Sequence, residues 1–199
     1  MSKKIIIFQK NRLPGQVKTR LAKTIGDEKA LEIYDFMVKN IHACIEPLGF
    51  DTSVYFSHFD EKNVLWDYAS SSIQTQDPDL GIRMYDAIKH ELEKGYTKVI
   101  LIGTDFLDFQ KELIEDAFNQ LDQNDYVFGP TYDGGYYLVG CKKVHSEVFL
   151  DKIWSTETVL IEALDELEKL KLTVGFTEKI NDIDTEEDLG KWRSFFLQN

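Results

Sequence analysis

With 199 residues, 43% of them hydrophobic and 29% charged, the chain has the size and balance of one globular domain spanning 1–199. A net charge of −12 speaks against a nucleic-acid or anionic-membrane binder, either of which needs a basic face. No apolar run approaches the ~18 residues of a membrane span, and Ile5-Ile6-Ile7-Phe8 is too short for a signal-peptide core, so a cytoplasmic protein is expected.

Taken in chain order, 4–8 reads as a strand buried on both faces, as in a parallel sheet. A long loop is expected from there to Gly26, because Pro14 and Gly15 interrupt it and no periodicity appears before Leu21. Ala30, Tyr34, Met37, Ile41 and Cys44 or Ile45 then form the stripe of a helix over 27–46, with Asp27 as its N-cap. A strand follows at 52–57, a short one near 72–75, and a helix over 80–94 that stops at Gly95. The run 98–103 is the clearest buried strand and leads directly into Thr104-Asp105. A helix at about 110–121, with Asp108 as a cap, precedes strands at 125–129 and 136–141 around a turn at 130–135. A helix at 156–170, a strand at 172–176 and a helix at 185–196 complete the chain. This order predicts an α/β fold with a mostly parallel, doubly wound sheet, an antiparallel interruption in its second half, and helices on both faces.

The charge is segregated along the chain. Residues 1–26 hold Lys3, Lys4, Lys10, Arg12, Lys18, Arg20 and Lys23 and no acid, so the remainder carries a net −19. Such a loop is either a solvated basic surface or an anion site. Pro14-Gly15 makes a tight turn that lets backbone amides approach a ligand, and Lys18 and Arg20 offer a point charge and a planar fork for phosphate oxygens. The Gly-Lys-Ser/Thr ending of a Walker loop is missing. Ligands in such sheets bind beyond the carboxyl ends of the strands, where Asp105, Asp133 and the Asp182/Asp184 pair also fall. Asp105 reads as a Mg²⁺ ligand or as a helix cap. Asp133-Gly134-Gly135 reads first as a turn, and Asp184 as an N-cap with Glu187 three residues on; both acids can still face the metal. The cysteines and histidines show no metal-ligand spacing, and no nucleophile elbow appears.

Motifs spread along almost the whole chain carry a resemblance. They are Phe8, Lys10, Pro14-Gly15, Val17-Lys18-Thr19-Arg20-Leu21, Asp79-Leu80-Gly81, Arg83-Met84, Gly103-Thr104-Asp105, Gly129-Pro130, the 133–138 segment, Trp154-Ser155-Thr156 and the 182–189 segment. Together they resemble the glycosyltransferase-A-like family often labelled radical-SAM/selenodomain-associated transferase. The resemblance implies a Rossmann-like GT-A, or nucleotide-diphospho-sugar transferase, fold. It implies that the first loop, with Lys10, Pro14, Gly15, Lys18 and Arg20, holds nucleotide phosphates, and that Asp105 binds Mg²⁺ or Mn²⁺. It places Asp79 and Gly81 near the nucleobase, and Asp133 and Gly134 near the second substrate. The expected activity is nucleotidyl or glycosyl transfer from a nucleoside triphosphate or nucleotide sugar to a small acceptor, with no nucleic-acid or membrane partner. Departures at Gln9, Asn11, Arg12, Pro78 and Phe106-Leu107 keep a second expectation open, a non-catalytic nucleotide- or partner-binding protein on the same fold.

Overall fold

The computed structural model describes residues 2–59 and 65–197. Its centre is a seven-stranded sheet of β1 (Lys3–Gln9), β2 (Asp51–Phe56), β3 (Ser70–Ile73), β4 (Lys98–Ile102), β5 (Tyr126–Pro130), β6 (Tyr136–Cys141) and β7 (Val174–Phe176). The order is β3-β2-β1-β4-β6-β5-β7. Only β6 runs antiparallel to its neighbours, β4 and β5. All five residues of β4 are buried, as a central strand covered on both faces requires.

Alternation along the strands sends side chains to two cores. Ile5 and Ile7 face one layer with α1 (Thr19–Ile25), α2 (Asp27–Ile45) and α4 (Lys111–Gln123). Ile6 faces the other, with α3 (Leu80–Glu93), α5 (Ser146–Phe149) and α6 (Val159–Lys169). Cys141 lies in the second core and Cys44 packs against the first; both are free thiols.

The expected elements are present, with four local corrections. Residues 19–25 are a helix rather than part of a loop; Leu21 is their buried side chain, too little to leave a periodic pattern. Gly26, at φ 84°, ends α1 and also occupies the N-cap position of α2, which leaves Asp27 one residue inside the helix. Gln110, not Asp108, stands at the N-cap of α4; the Asp108 carboxylate pairs with Lys191 and accepts from Trp192 Nε1. The final helix is broken: a 3₁₀ stretch Glu187–Trp192 kinks at Gly190 before α7 (Arg193–Leu197).

Every strand except β6 ends at one edge of the sheet, and β6 begins there. That edge therefore gathers the segments after β1, β2, β3, β4, β5 and β7.

Candidate active site

At that edge the Tyr34 hydroxyl, fully buried on α2, accepts from the Lys10 amide at 3.0 Å and lies 2.9 Å from Thr104 Oγ1. One phenol thus ties the exit of β1 to the exit of β4. The next residue ties β1 to β2. Asn11 Oδ1 accepts from the amide of His58 at 2.9 Å and the hydroxyl of Ser57 at 3.0 Å, while Nδ2 donates to the Phe59 carbonyl. The basic loop therefore departs from a fixed base, turns at exposed Pro14 and Gly15 (φ 71°), and enters α1 through Lys18.

Lys18 has left-handed backbone angles, φ 49° and ψ 43°, a conformation that costs a residue with a Cβ about 1–2 kcal/mol. The turn carries its side chain inward, where only 3% of it is exposed. Its ammonium lies 2.6 Å from Asp105 Oδ1 and 3.5 Å from Asp184 Oδ1. Arg20, 64% exposed, reaches Asp184 Oδ2 at 2.7 Å. Three segments far apart in sequence thus contribute a chain of alternating charge, Asp105–Lys18–Asp184–Arg20.

The acids differ in their surroundings. Burial pushes the Asp105 carboxyl up, but the ammonium groups of Lys18 and Lys10 outweigh that and hold it below the usual carboxylate range. Asp182 is pushed up to about 6 by burial and by the like charges of Asp133 and Asp184. The Asp105 carbonyl accepts from the Ile183 amide at 2.9 Å, which fastens this acidic segment to the end of β4. Asp184 was expected to cap a helix. Instead Asp188 Oδ2 takes the amides of Asp184 and Thr185, at 3.0 and 2.7 Å, so the Asp184 carboxylate is free to face Lys18 and Arg20.

Other sequence-predicted residues have structural occupations. Asp79 Oδ1 caps α3 by accepting from the Gly81 amide at 2.7 Å and also takes Trp154 Nε1 at 2.9 Å. Gly81 is a packing glycine, since a Cβ there would stand 2.0 Å from the Phe149 carbonyl oxygen. Gly134, at φ 91°, abuts Glu157, while Asp133 Oδ1 accepts from the Gly135 amide and the Thr131 hydroxyl, as the turn reading expects. Phe106 and Leu107 point into the core, where Phe106 packs on Phe109 and Tyr137.

Sequence reasoning missed Tyr34 as a part of this edge. It lay on the apolar stripe of α2, and the one available signal was that a buried phenol needs a polar partner.

The model of a family described as "uncharacterized protein conserved in bacteria (DUF2064)" matches residues 41–156, more than half of the chain. No curated protein matches the sequence. Among solved structures, a candidate nucleotide-diphospho-sugar transferase from Desulfovibrio desulfuricans G20 is 30% identical; the match covers 100% of this chain and 90% of that one, with a TM-score of 0.88. The inositol-1-phosphate CTP transferase of T. maritima is 13% identical, with 98% and 95% covered and a TM-score of 0.60. Glucosyl-3-phosphoglycerate synthase from Mycobacterium tuberculosis, in complex with Mn²⁺, UDP and glucosyl-3-phosphoglycerate, is 11% identical, with 91% and 70% covered and a TM-score of 0.55. The last two likenesses concern the fold alone.

Proposed function

The chain belongs to the bacterial DUF2064 family, and from the edge described above we propose that it is a divalent-metal-dependent transferase with a nucleotide donor. The donor is a nucleoside triphosphate or a nucleotide sugar, and the acceptor is a small molecule. The observation that carries this reading is the Asp105–Lys18–Asp184–Arg20 chain, which puts phosphate-binding cations and metal-binding carboxylates in one place at the ligand edge of a transferase fold.

The donor set fits Mg²⁺ or Mn²⁺. Asp105 and Asp184 are hard oxygen ligands from separate segments, and Mg²⁺ usually takes one or two carboxylates together with substrate phosphates and water. Among the described residues no group of three or more His, Cys, Asp and Glu is arranged around a single ion position, so phosphate oxygens would complete the shell. When bound, the metal would draw charge from the donor phosphates.

The protein's own residues do the rest. Lys18 and Arg20 would pair with the phosphates, Arg20 in a planar fork and Lys18 as a buried point charge. In nucleotidyl transfer an acceptor oxygen attacks the α-phosphorus, the bond to the bridging oxygen breaks, and pyrophosphate leaves. In glycosyl transfer the acceptor oxygen attacks the anomeric carbon, the bond from that carbon to the donor's phosphate oxygen breaks, and a nucleoside diphosphate leaves. In either reaction an acceptor hydroxyl gives its proton to solvent. Either leaving group is an anion that Lys18 and Arg20 would neutralise, so positioning and charge carry the reaction without a nucleophilic side chain. The residues at 106 and 107 leave this open, because both are core side chains.

The test is a thermal-shift panel of nucleoside triphosphates and nucleotide sugars, each with Mg²⁺ or EDTA, followed by a product assay with the donor that binds. A ligand at 100 times its Kd adds about 2.7 kcal/mol, which for a chain of this size is a shift of roughly 5–10 °C. We expect a metal-dependent shift with one donor class and acceptor-dependent release of pyrophosphate or nucleoside diphosphate. Folded protein with a flat panel would refute the reading.

A further inference from the structure

We propose that Lys18 is an exchange latch: its ammonium substitutes for the divalent cation between Asp105 and Asp184 and is released only when metal and phosphate arrive together. The latch regulates the nucleotide site proposed above and rests on that reading.

The geometry makes each charge dependent on the others. The Lys18 side chain is almost wholly buried, and its carboxylate partners are each about one-third exposed. A buried ammonium that loses its counter-ion is costly, because the protein interior offers little to replace water. A metal ion approaching alone meets the fields of Lys18, Arg20 and Lys10, the last of which also acts on Asp105. If it took the two carboxylates, Lys18 and Arg20 would lose the anions they pair with. A phosphate approaching alone would draw Lys18 and Arg20 away and leave Asp105 and Asp184 facing each other, with Asp182 and Asp133 adding like charge. When both arrive, the exchange balances. The two carboxylates neutralise the divalent ion, and the two side-chain cations pass to the phosphate.

The backbone supports the same reading. Lys18 holds a left-handed conformation at the entry to α1, and Asp184 is kept out of a capping role by Asp188. Both side chains are thereby aimed at each other. Metal and phosphate should then bind with positive, reciprocal coupling, and the coupling should depend on the charge at position 18.

The probes are free Mn²⁺, followed by electron paramagnetic resonance, and pyrophosphate, followed by thermal shift with and without Mn²⁺. Wild-type protein is expected to bind free Mn²⁺ weakly and to be shifted by the two probes together far more than by either alone. Lys18→Met, shown by its melting curve to be folded, should bind free Mn²⁺ about tenfold more tightly than wild type, within the usual range of coupling between sites. Lys18→Arg, which keeps the charge, should bind it as weakly as wild type. Arg20→Gln, at an exposed position, gives a second reading if the Met variant does not fold, with tightening of about fivefold, the low end of such coupling. Free Mn²⁺ affinity that stays unchanged or falls in Lys18→Met or, failing that variant, in Arg20→Gln overturns the latch, while a wild-type shift with both probes leaves the nucleotide site standing. No wild-type shift with Mn²⁺, pyrophosphate or a nucleotide, together or apart, removes the site and the latch with it.

Discussion

At the scale of single residues, Asp182 carries a penalty that its neighbours impose. Its carboxyl titrates at about 6, above the ~3.9 of an unfolded chain, because it is half-buried and faces Asp133 and Asp184. Below about pH 4 it is protonated in both states and costs nothing. Between about pH 4 and 6 the folded protein holds a proton that the unfolded chain has lost, so this group's contribution to stability falls as pH rises, and the penalty is complete above about 6. Two pKa units correspond to about 2.7 kcal/mol, which solvent screening at a half-buried site reduces to about 1 kcal/mol. Asp182→Asn should therefore stabilise the metal-free protein by about 1 kcal/mol at pH 7.5 and by almost nothing at about pH 3. Urea unfolding in EDTA measures this, and equal gains at the two pH values would contradict the assigned cause. Asp105 runs the opposite way: its carboxyl is held low by Lys18 and Lys10, so its stabilisation is present above about pH 4 and is lost as the solution becomes more acidic.

At the scale of elements, the residues that periodicity could not read are those whose roles depend on distant segments. The helices α2, α3, α4 and α6 and the six strands other than β3 announced themselves through stripes and buried runs. The short helix α1 did not, because it buries one side chain and begins at a lysine in a glycine-like conformation. Asp184 looked like a cap because Thr185-Glu186-Glu187 follows it, and nothing local signals that Asp188 satisfies those amides instead. Gly81 is a similar case. Its place in Asp79-Leu80-Gly81 pointed to a ligand, but it is also where α3 meets the chain after α5. A Cβ at Gly81 would stand 2.0 Å from the Phe149 carbonyl oxygen and 2.8 Å from the Trp154 ring, and neither the backbone nor the capped indole can yield cheaply. Gly81→Ala should destabilise the protein by about 3 kcal/mol, the upper range for overpacking, despite the better helix propensity of alanine. A melting curve decides it; a variant as stable as wild type would show that α3 can shift away from Phe149.

At the scale of the whole molecule, the convergence of segments was legible before any contact was. Strand order and the rule that ligands sit beyond carboxyl ends were enough to bring the basic loop, Asp105, Asp133 and Asp184 to one edge. What the sequence could not supply was the pairing among them, since that depends on the backbone angle at Lys18 and on the Ile183 amide bonding to Asp105. The opposite edge of the sheet is built differently. There Lys98 pairs with Asp122, Asp125 binds Thr173, and Tyr126 binds His145, contacts that close within the protein. A donor bound as proposed would bridge segments that are joined in sequence only through whole strands and helices. Its effect on local opening should therefore be confined to the carboxyl edge. Hydrogen exchange with and without Mn²⁺ and the donor that binds should show slowed exchange in 12–20, 103–109 and 180–186 together, with residues 122–126 and 142–146 unchanged. Protection spread evenly over both edges would mean that the ligand stabilises the fold as a whole without engaging this site, and protection confined to the opposite edge would move the site altogether.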